Sequence, residues 1–261
     1  MSFDAIAPHY HWMECILAGE KLQRCRTHFL DEVPIPRKIL LLGEGHGRCL
    51  TECRRRFPDT SLTCVDASAK MLQLARRRLE TGGLGERQVE FVHADALEWK
   101  PAVNAYDLII TNFFLDCFRA DQLERVIARL SAAASSDSNW LIADFQIPPG
   151  GLRRIRARLL LWTMYAFFRV VTRLPAKRLT APDSFLQHAG FRLHRRTETE
   201  WSLLYSDWWK REIADSSSKR HRKANRAALR IGIPNSPNYG SDWGFCLSAT
   251  CSNRSPNLPE L

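Results

Sequence analysis

Ile39-Leu40-Leu41-Leu42-Gly43-Glu44-Gly45-His46-Gly47-Arg48 is the stretch on which the fold turns. An apolar run leads directly into three glycines at alternate positions, and a helical pattern follows over Arg48 to Arg56, with Pro58 helping to end it. Glycines allow positive φ and let a ligand approach the backbone where a β-carbon would stand in the way. The helix start beyond them offers unpaired N–H groups to an acceptor. By itself such a triplet can be no more than a tight turn.

Outward from this turn, short apolar runs alternate with helical patterns. Arg37 to Leu42 reads as a strand, Ser61 to Val65 as the next, and Ala69 to Glu80 as a helix closed by Gly82-Gly83. Val89 to His93 and Tyr106 to Thr111 follow as strands, then a helix near Asp121 to Ala132 and a strand over Trp140 to Phe145. Strict alternation implies right-handed crossovers and a parallel sheet covered on both faces. After Pro148-Pro149-Gly150-Gly151 the pattern breaks. It resumes with a helix over Pro182 to Ala189, then Phe191 to Thr199 and Trp201 to Lys210 as a tight antiparallel hairpin at the sheet's edge. The expected fold is α/β, a doubly wound, seven-stranded, mostly parallel sheet with an antiparallel C-terminal hairpin. Its ligand should lie beyond the carboxyl ends of the strands. The expected organisation is an N-terminal helical cap over 1–36, the α/β domain over 37–212 and a poorly ordered tail over 213–261, with a short helix around Ala224 to Arg230.

The net charge of +10 is unevenly spread. Between Gly150 and Thr180 stand eight basic residues (Arg153, Arg154, Arg156, Arg158, Arg169, Arg173, Lys177, Arg178) and no acidic one. The apolar run Leu159 to Val171 inside this insert, 13 residues long, is too short to span a bilayer. Three readings of the insert stand side by side. It is a lid lending Trp162, Met164, Tyr165, Phe167 and Phe168 to an apolar pocket, a basic helix lying on a membrane surface, or an ordinary amphipathic helix packed on the core. The opening Met1-Ser2-Phe3-Asp4 carries no basic run and apolar core of the secretory kind, which sets the expectation of a cytoplasmic protein, with contact at a membrane surface if the insert lies there. None of the eight cysteines forms a C-x-x-C pair, so thiols rather than a zinc or redox site are expected. Cys117 invites a nucleophilic reading, but no activating partner is legible beside it.

Two carboxylates add to the glycine turn. Asp66 ends the second strand in Thr63-Cys64-Val65-Asp66-Ala67-Ser68, where it can accept hydrogen bonds from both hydroxyls of a ribose. Asp95, in Phe91-Val92-His93-Ala94-Asp95-Ala96-Leu97, follows the third strand, where an adenine edge would lie. Taken singly, each is an ordinary strand-end aspartate. Their order along the chain is what carries weight.

With these motifs in place the sequence resembles the class I S-adenosylmethionine-dependent methyltransferases, and within them the ubiquinone/menaquinone biosynthesis C-methyltransferase-like branch. Phe3-Asp4-Ala5-Ile6-Ala7-Pro8-His9-Tyr10 is similar to that branch's N-terminal motif, and Ala143-Asp144-Phe145-Gln146-Ile147-Pro148 to its fifth-strand motif. The resemblance covers roughly residues 3 to 211. It implies a Rossmann-like fold and S-adenosylmethionine as cofactor. Gly43, Glu44, Gly45 and Gly47 would wrap the amino acid half, Asp66 would hold the ribose, and Ala67 and Met71 would flank the adenine. Asp95 with Ala96 would bind the amine edge, Tyr10 would close over the methionine end, and Asn112 would line the transfer site. His9, Tyr10, His11 and Asp116 are the candidates for a general base.

The branch places an aspartate three residues after the fourth-strand asparagine, whereas Asn112-Phe113-Phe114-Leu115-Asp116 places it four after, which speaks against a quinone acceptor. The same stretch lacks both prolines of the amino-methylating motif. The expected acceptor is a small, apolar or aromatic molecule methylated on carbon, oxygen or sulfur. Rivals are a nucleic-acid methyltransferase, suggested by the charge, and a non-catalytic S-adenosylmethionine-binding protein. A nicotinamide-dependent dehydrogenase shares the turn and the ribose carboxylate, but its third glycine falls three residues after the second, and Gly47 falls two after Gly45.

Overall fold

The computed structural model describes residues 19–172 and 179–212, the side chains of 164–172 excepted. His9, Tyr10, His11, the segment 173–178 and the expected tail over 213–261 lie outside the described residues. Among the described residues seven strands form one sheet: β1 (Lys38–Leu42), β2 (Ser61–Asp66), β3 (Val89–His93), β4 (Tyr106–Asn112), β5 (Ala134–Phe145), β6 (Phe191–Thr199) and β7 (Leu204–Arg211). The helices are α1 (Gly19–Thr27), α2 (Arg48–Arg56), α3 (Ala69–Thr81), α4 (Ala120–Ala133), α5 (Gly151–Thr172) and α6 (Asp183–His188), with a 3-10 turn over Leu115–Cys117.

The strand order is β3-β2-β1-β4-β5-β7-β6, with β1 to β5 parallel and β7 antiparallel to both of its neighbours. Successive side chains of a strand point to opposite faces. Leu40 and Leu42 accordingly pack on one side with Leu123, Val126 and Ile127 of α4, while Ile39 and Leu41 pack on the other with Leu50 of α2 and Leu72, Ala75 and Leu79 of α3. Both faces of β1 are therefore buried, which is why its sequence is a continuous apolar run rather than an alternating one.

Three expectations need correction. The hairpin is not tight: Glu200, Trp201 and Ser202 take left-handed φ of 53°, 61° and 62°, so β7 starts at Leu204 rather than Trp201. Nor do both hairpin strands lie at the edge. β7 is inserted between β5 and β6, and only β6 is outermost. Trp208 and Trp209 explain the insertion, because they point to opposite faces, are 5% and 0% exposed, and need cover on both sides. Finally, β5 starts at Ala134 rather than Trp140, beyond a register irregularity opposite Tyr106 to Leu108. Its polar opening Ser135-Ser136-Asp137 carries no strand signal. Arg211 draws this end in by donating from Nη1 to the carbonyls of Ser131 and Ala134, at 2.6 and 2.7 Å.

Candidate active site

Strand order reverses between β1 and β4, and a crevice at such a point is the usual ligand position in open α/β sheets. The glycine turn leaves β1 there. Gly43, Gly45 and Gly47 all have positive φ, at 63°, 63° and 83°. A β-carbon on Gly43 would stand 2.2 Å from Cδ2 of Phe114, and one on Gly47 would stand 2.7 Å from Cα of Ala75 in α3. Two of the three glycines are thus required by close approach as well as by dihedral angle. The side chain of Glu44 turns to the helix behind it: Oε1 accepts the N–H groups of Cys49 and Leu50 at 2.5 and 3.1 Å. It caps α2, whose N-cap position is Gly47 and has no side chain to do so.

Asp66, at the carboxyl end of β2, reaches across to this turn. Its Oδ2 accepts the N–H of Gly45 at 3.2 Å, and its Oδ1 accepts the N–H of Ser68 at 2.9 Å. Ser68 in turn caps α3 by accepting the N–H of Met71 at 3.1 Å, which fixes the buried Met71 beside Ala67. Asp95 follows β3, and the ladder continues to it, since the N–H of Ala94 donates to the Asp66 carbonyl at 3.1 Å. Its Oδ1 accepts the N–H of Leu97 at 2.9 Å, closing an Asx turn around the half-buried Ala96.

Across the crevice, Leu42 pairs with Thr111, so Asn112 stands opposite the first glycine. Asn112 is 6% exposed, and among the described residues neither atom of its amide has a hydrogen-bond partner. Buried amides are ordinarily bonded, so an orphaned one at a ligand crevice marks a group awaiting a partner. Phe113 follows with a left-handed φ of 52°, which throws its ring onto Phe145 at 5.0 Å between centroids and places Phe114 over Gly43. Arg26 of α1 lies 5.1 Å over the Phe113 ring.

The 3-10 turn then places Asp116 next to the end of β5. The N–H of Asp116 donates to Oδ2 of Asp144 at 3.2 Å, and Oδ1 of Asp144 accepts the N–H of Phe145 at 2.8 Å. Both aspartates are buried. Loss of hydration, reinforced by the neighbouring Asp116, holds the Asp144 carboxyl well above the usual carboxylate range. Cys117 donates to Asp116 Oδ1 at 3.5 Å, and burial followed by the Asp116 charge pushes its thiol well up, away from the thiolate a nucleophile requires. Cys25, Cys49, Cys53 and Cys64 are buried free thiols.

Gly43, Glu44, Gly45, Gly47, Asp66, Ala67, Met71, Asp95, Ala96, Asn112 and Asp116 therefore share one edge of the sheet, while Tyr10 and His11 lie outside the described residues. Three contributors are added by the structure. Phe114 roofs the turn, Ser68 ties Asp66 to α3, and Asp144 pairs with Asp116. An aspartate in the turn after β4 and another at the end of β5 are the available signal for the last. The set fits an adenosyl amino acid: a carboxylate at a strand end, β-carbon-free backbone beside it, and a buried amide with spare donor and acceptor.

Residues 39–136 match a family described as a methyltransferase domain. The demethylmenaquinone methyltransferase of Thermus thermophilus is 29% identical over 151 residues, covering 57% of this chain and 66% of its own length. The ribosomal RNA large subunit methyltransferase G of Aliivibrio salmonicida is 29% identical over 100 residues, covering 37% and 26% respectively. The chain thus spans less than two thirds of these relatives. An O-methyltransferase family protein from Burkholderia thailandensis superposes with a TM-score of 0.60 at 16% identity, covering 80% of this chain and 60% of its own. A mitomycin 7-O-methyltransferase does so with a TM-score of 0.60 at 19%, covering 81% and 61%, and both likenesses speak to the fold. Strand order, the glycine turn and the methyltransferase-domain match over residues 39–136 agree with one another and support a class I S-adenosylmethionine-dependent methyltransferase domain.

Proposed function

We propose that the protein binds S-adenosylmethionine in the crevice between β1 and β4 and transfers its methyl group to a small, apolar or aromatic acceptor. The observation that carries the reading is the Asp66 carboxylate, held between the Gly45 and Ser68 N–H groups on the same carboxyl edge as Asn112, whose amide has no partner among the described residues. In this reading Asp66 holds the ribose hydroxyls, Ala67 and Met71 flank the adenine, and Asp95 with Ala96 take its amine edge. Gly43, Gly45 and Gly47 give the amino acid half access to backbone, with Glu44 holding the turn to α2.

The bound sulfonium supplies an already activated methyl group. The chain's task is then alignment and exclusion of water. Asn112 would orient the reacting groups, and Phe113, Phe114 and Phe145 supply an aromatic wall beside it, which favours an apolar acceptor. Asp116, backed by the proton-retaining Asp144, is the described residue best situated to take a proton from an acceptor hydroxyl. Tyr10 and His11 remain proposed contributors from the N-terminal segment.

A second reading, methylation of RNA, is favoured by the ribosomal RNA methyltransferase relative and the net charge of +10. Methyl transfer from radiolabelled S-adenosylmethionine separates the two. The expected result is label in small phenolic or thiol acceptors and none in ribosomal RNA; label in RNA alone would overturn the small-molecule reading.

A further inference from the structure

The first half of α5 is unusual in showing two apolar faces. Ala157 and Leu161 are 1% and 3% exposed and pack on Leu203, so this side fastens the helix to the domain. Leu152, Ile155, Leu159 and Trp162 are 84%, 66%, 65% and 70% exposed. At 100° per residue these four fall within about 80° of arc, opposite the packed side. Arg156 and Arg153 flank this stripe on one side and Arg158 and Arg154 on the other, all four exposed. Trp201, itself 66% exposed, extends the apolar surface under Arg156, whose guanidinium lies 4.9 Å over its ring.

We infer that this stripe is a docking surface for an anionic phospholipid membrane, with α5 lying in the plane of the interface. A central apolar strip flanked by arginines matches what such a surface offers, acyl chains at its boundary and phosphates beside them. Trp162 suits the same depth. Charge decides against the other occupants. A second copy docked stripe to stripe would set four arginines against four with no carboxylate anywhere between Gly150 and Thr180 to answer them. An RNA backbone would satisfy the arginines and leave four large apolar side chains in water. No helix among the described residues is long and apolar enough to cross a membrane, so the contact is with the surface. The inference stands on α5 and the adjoining Trp201 and is independent of the methyl-transfer reading, though a lipophilic acceptor would be captured from the same surface.

Co-sedimentation of the full chain with vesicles tests it. Vesicles of phosphatidylcholine with one third phosphatidylglycerol should retain the protein, phosphatidylcholine alone should not, and raising the salt to molar levels should release it, since screening shortens to about 3 Å there. Ile155→Ser with Leu159→Ser should weaken retention by at least about 10-fold. Arg153→Gln with Arg158→Gln should weaken it about 30-fold at low salt, at roughly 1 kcal/mol per arginine. Native circular dichroism of either double variant keeps the comparison valid. Absence of retention on the anionic vesicles would overturn the inference. So would a concentration-dependent dimer broken by Ile155→Ser with Leu159→Ser, which assigns the stripe to a second copy, or RNA binding lost in the arginine variant while vesicle binding is unchanged.

Discussion

Asp144 is the residue whose environment is most at odds with its chemistry. Two backbone N–H groups support its carboxylate, yet burial and the Asp116 charge outweigh them, and the proton is held more tightly in the folded chain than in the unfolded one. Its contribution to stability is therefore full below about pH 4, the unfolded range, and falls as pH rises toward the folded pKa, by up to about 1.4 kcal/mol per pH unit. Asp144→Asn should flatten the dependence of unfolding free energy on pH above 4 relative to the parent; denaturant unfolding at several pH values reads it directly, and an unchanged slope would remove Asp144 as the cause. The burial of Asp207, next to Arg196 at 2.6 and 2.7 Å, adds a slope of the same sign that both proteins share. This pairing was only half legible in the sequence. Asp66 and Asp95 announce themselves at strand ends, whereas Asp144 meets Asp116 only because β5 pairs with β4 and the 3-10 turn folds back between them.

Helix α2 shows how an element and the site depend on one another. Its N-cap is a glycine with left-handed φ, required where a β-carbon would strike α3, so the cap comes from Glu44 three residues earlier. Glu44→Ala should cost about 1 kcal/mol, as loss of other N-terminal caps does. In thermal unfolding this corresponds to a fall in Tm of roughly 2–4 °C, with Glu44→Gln intermediate. A Tm equal to the parent's would show that α2 does not depend on this side chain. Helix and strand bounds around the turn were readable because periodicity and glycine or proline punctuation agree there, as over Arg48–Arg56 and Val89–His93. They were not readable where tertiary contacts decide. The polar start of β5 is recruited by Arg211, and the late start of β7 follows from three consecutive left-handed residues that are not glycine.

At the scale of the whole molecule, alternation of strands and helices was enough to place the glycine turn, Asp66, Asp95 and Asn112 on one carboxyl edge, because parallel strands with right-handed crossovers leave no other arrangement. The antiparallel end was legible as a hairpin but not as an insertion, since only the two faces demanded by Trp208 and Trp209 move β7 inward. For α5 the sequence leaves lid, membrane-surface helix and core-packed helix side by side, because the face that does the packing is set by the tertiary contact of Ala157 and Leu161 with Leu203. Asp66 is the residue proposed above all to make this edge an adenosyl site. Calorimetric titration with S-adenosylmethionine and S-adenosylhomocysteine, beside NADH, on the parent and on Asp66→Ala is the direct measurement. Both adenosyl ligands should bind the parent, NADH should not, and the variant should lose at least about 10-fold in affinity, the scale of one charge-assisted hydrogen bond. Binding of NADH alone, or adenosyl affinity unchanged in Asp66→Ala, would contradict that role.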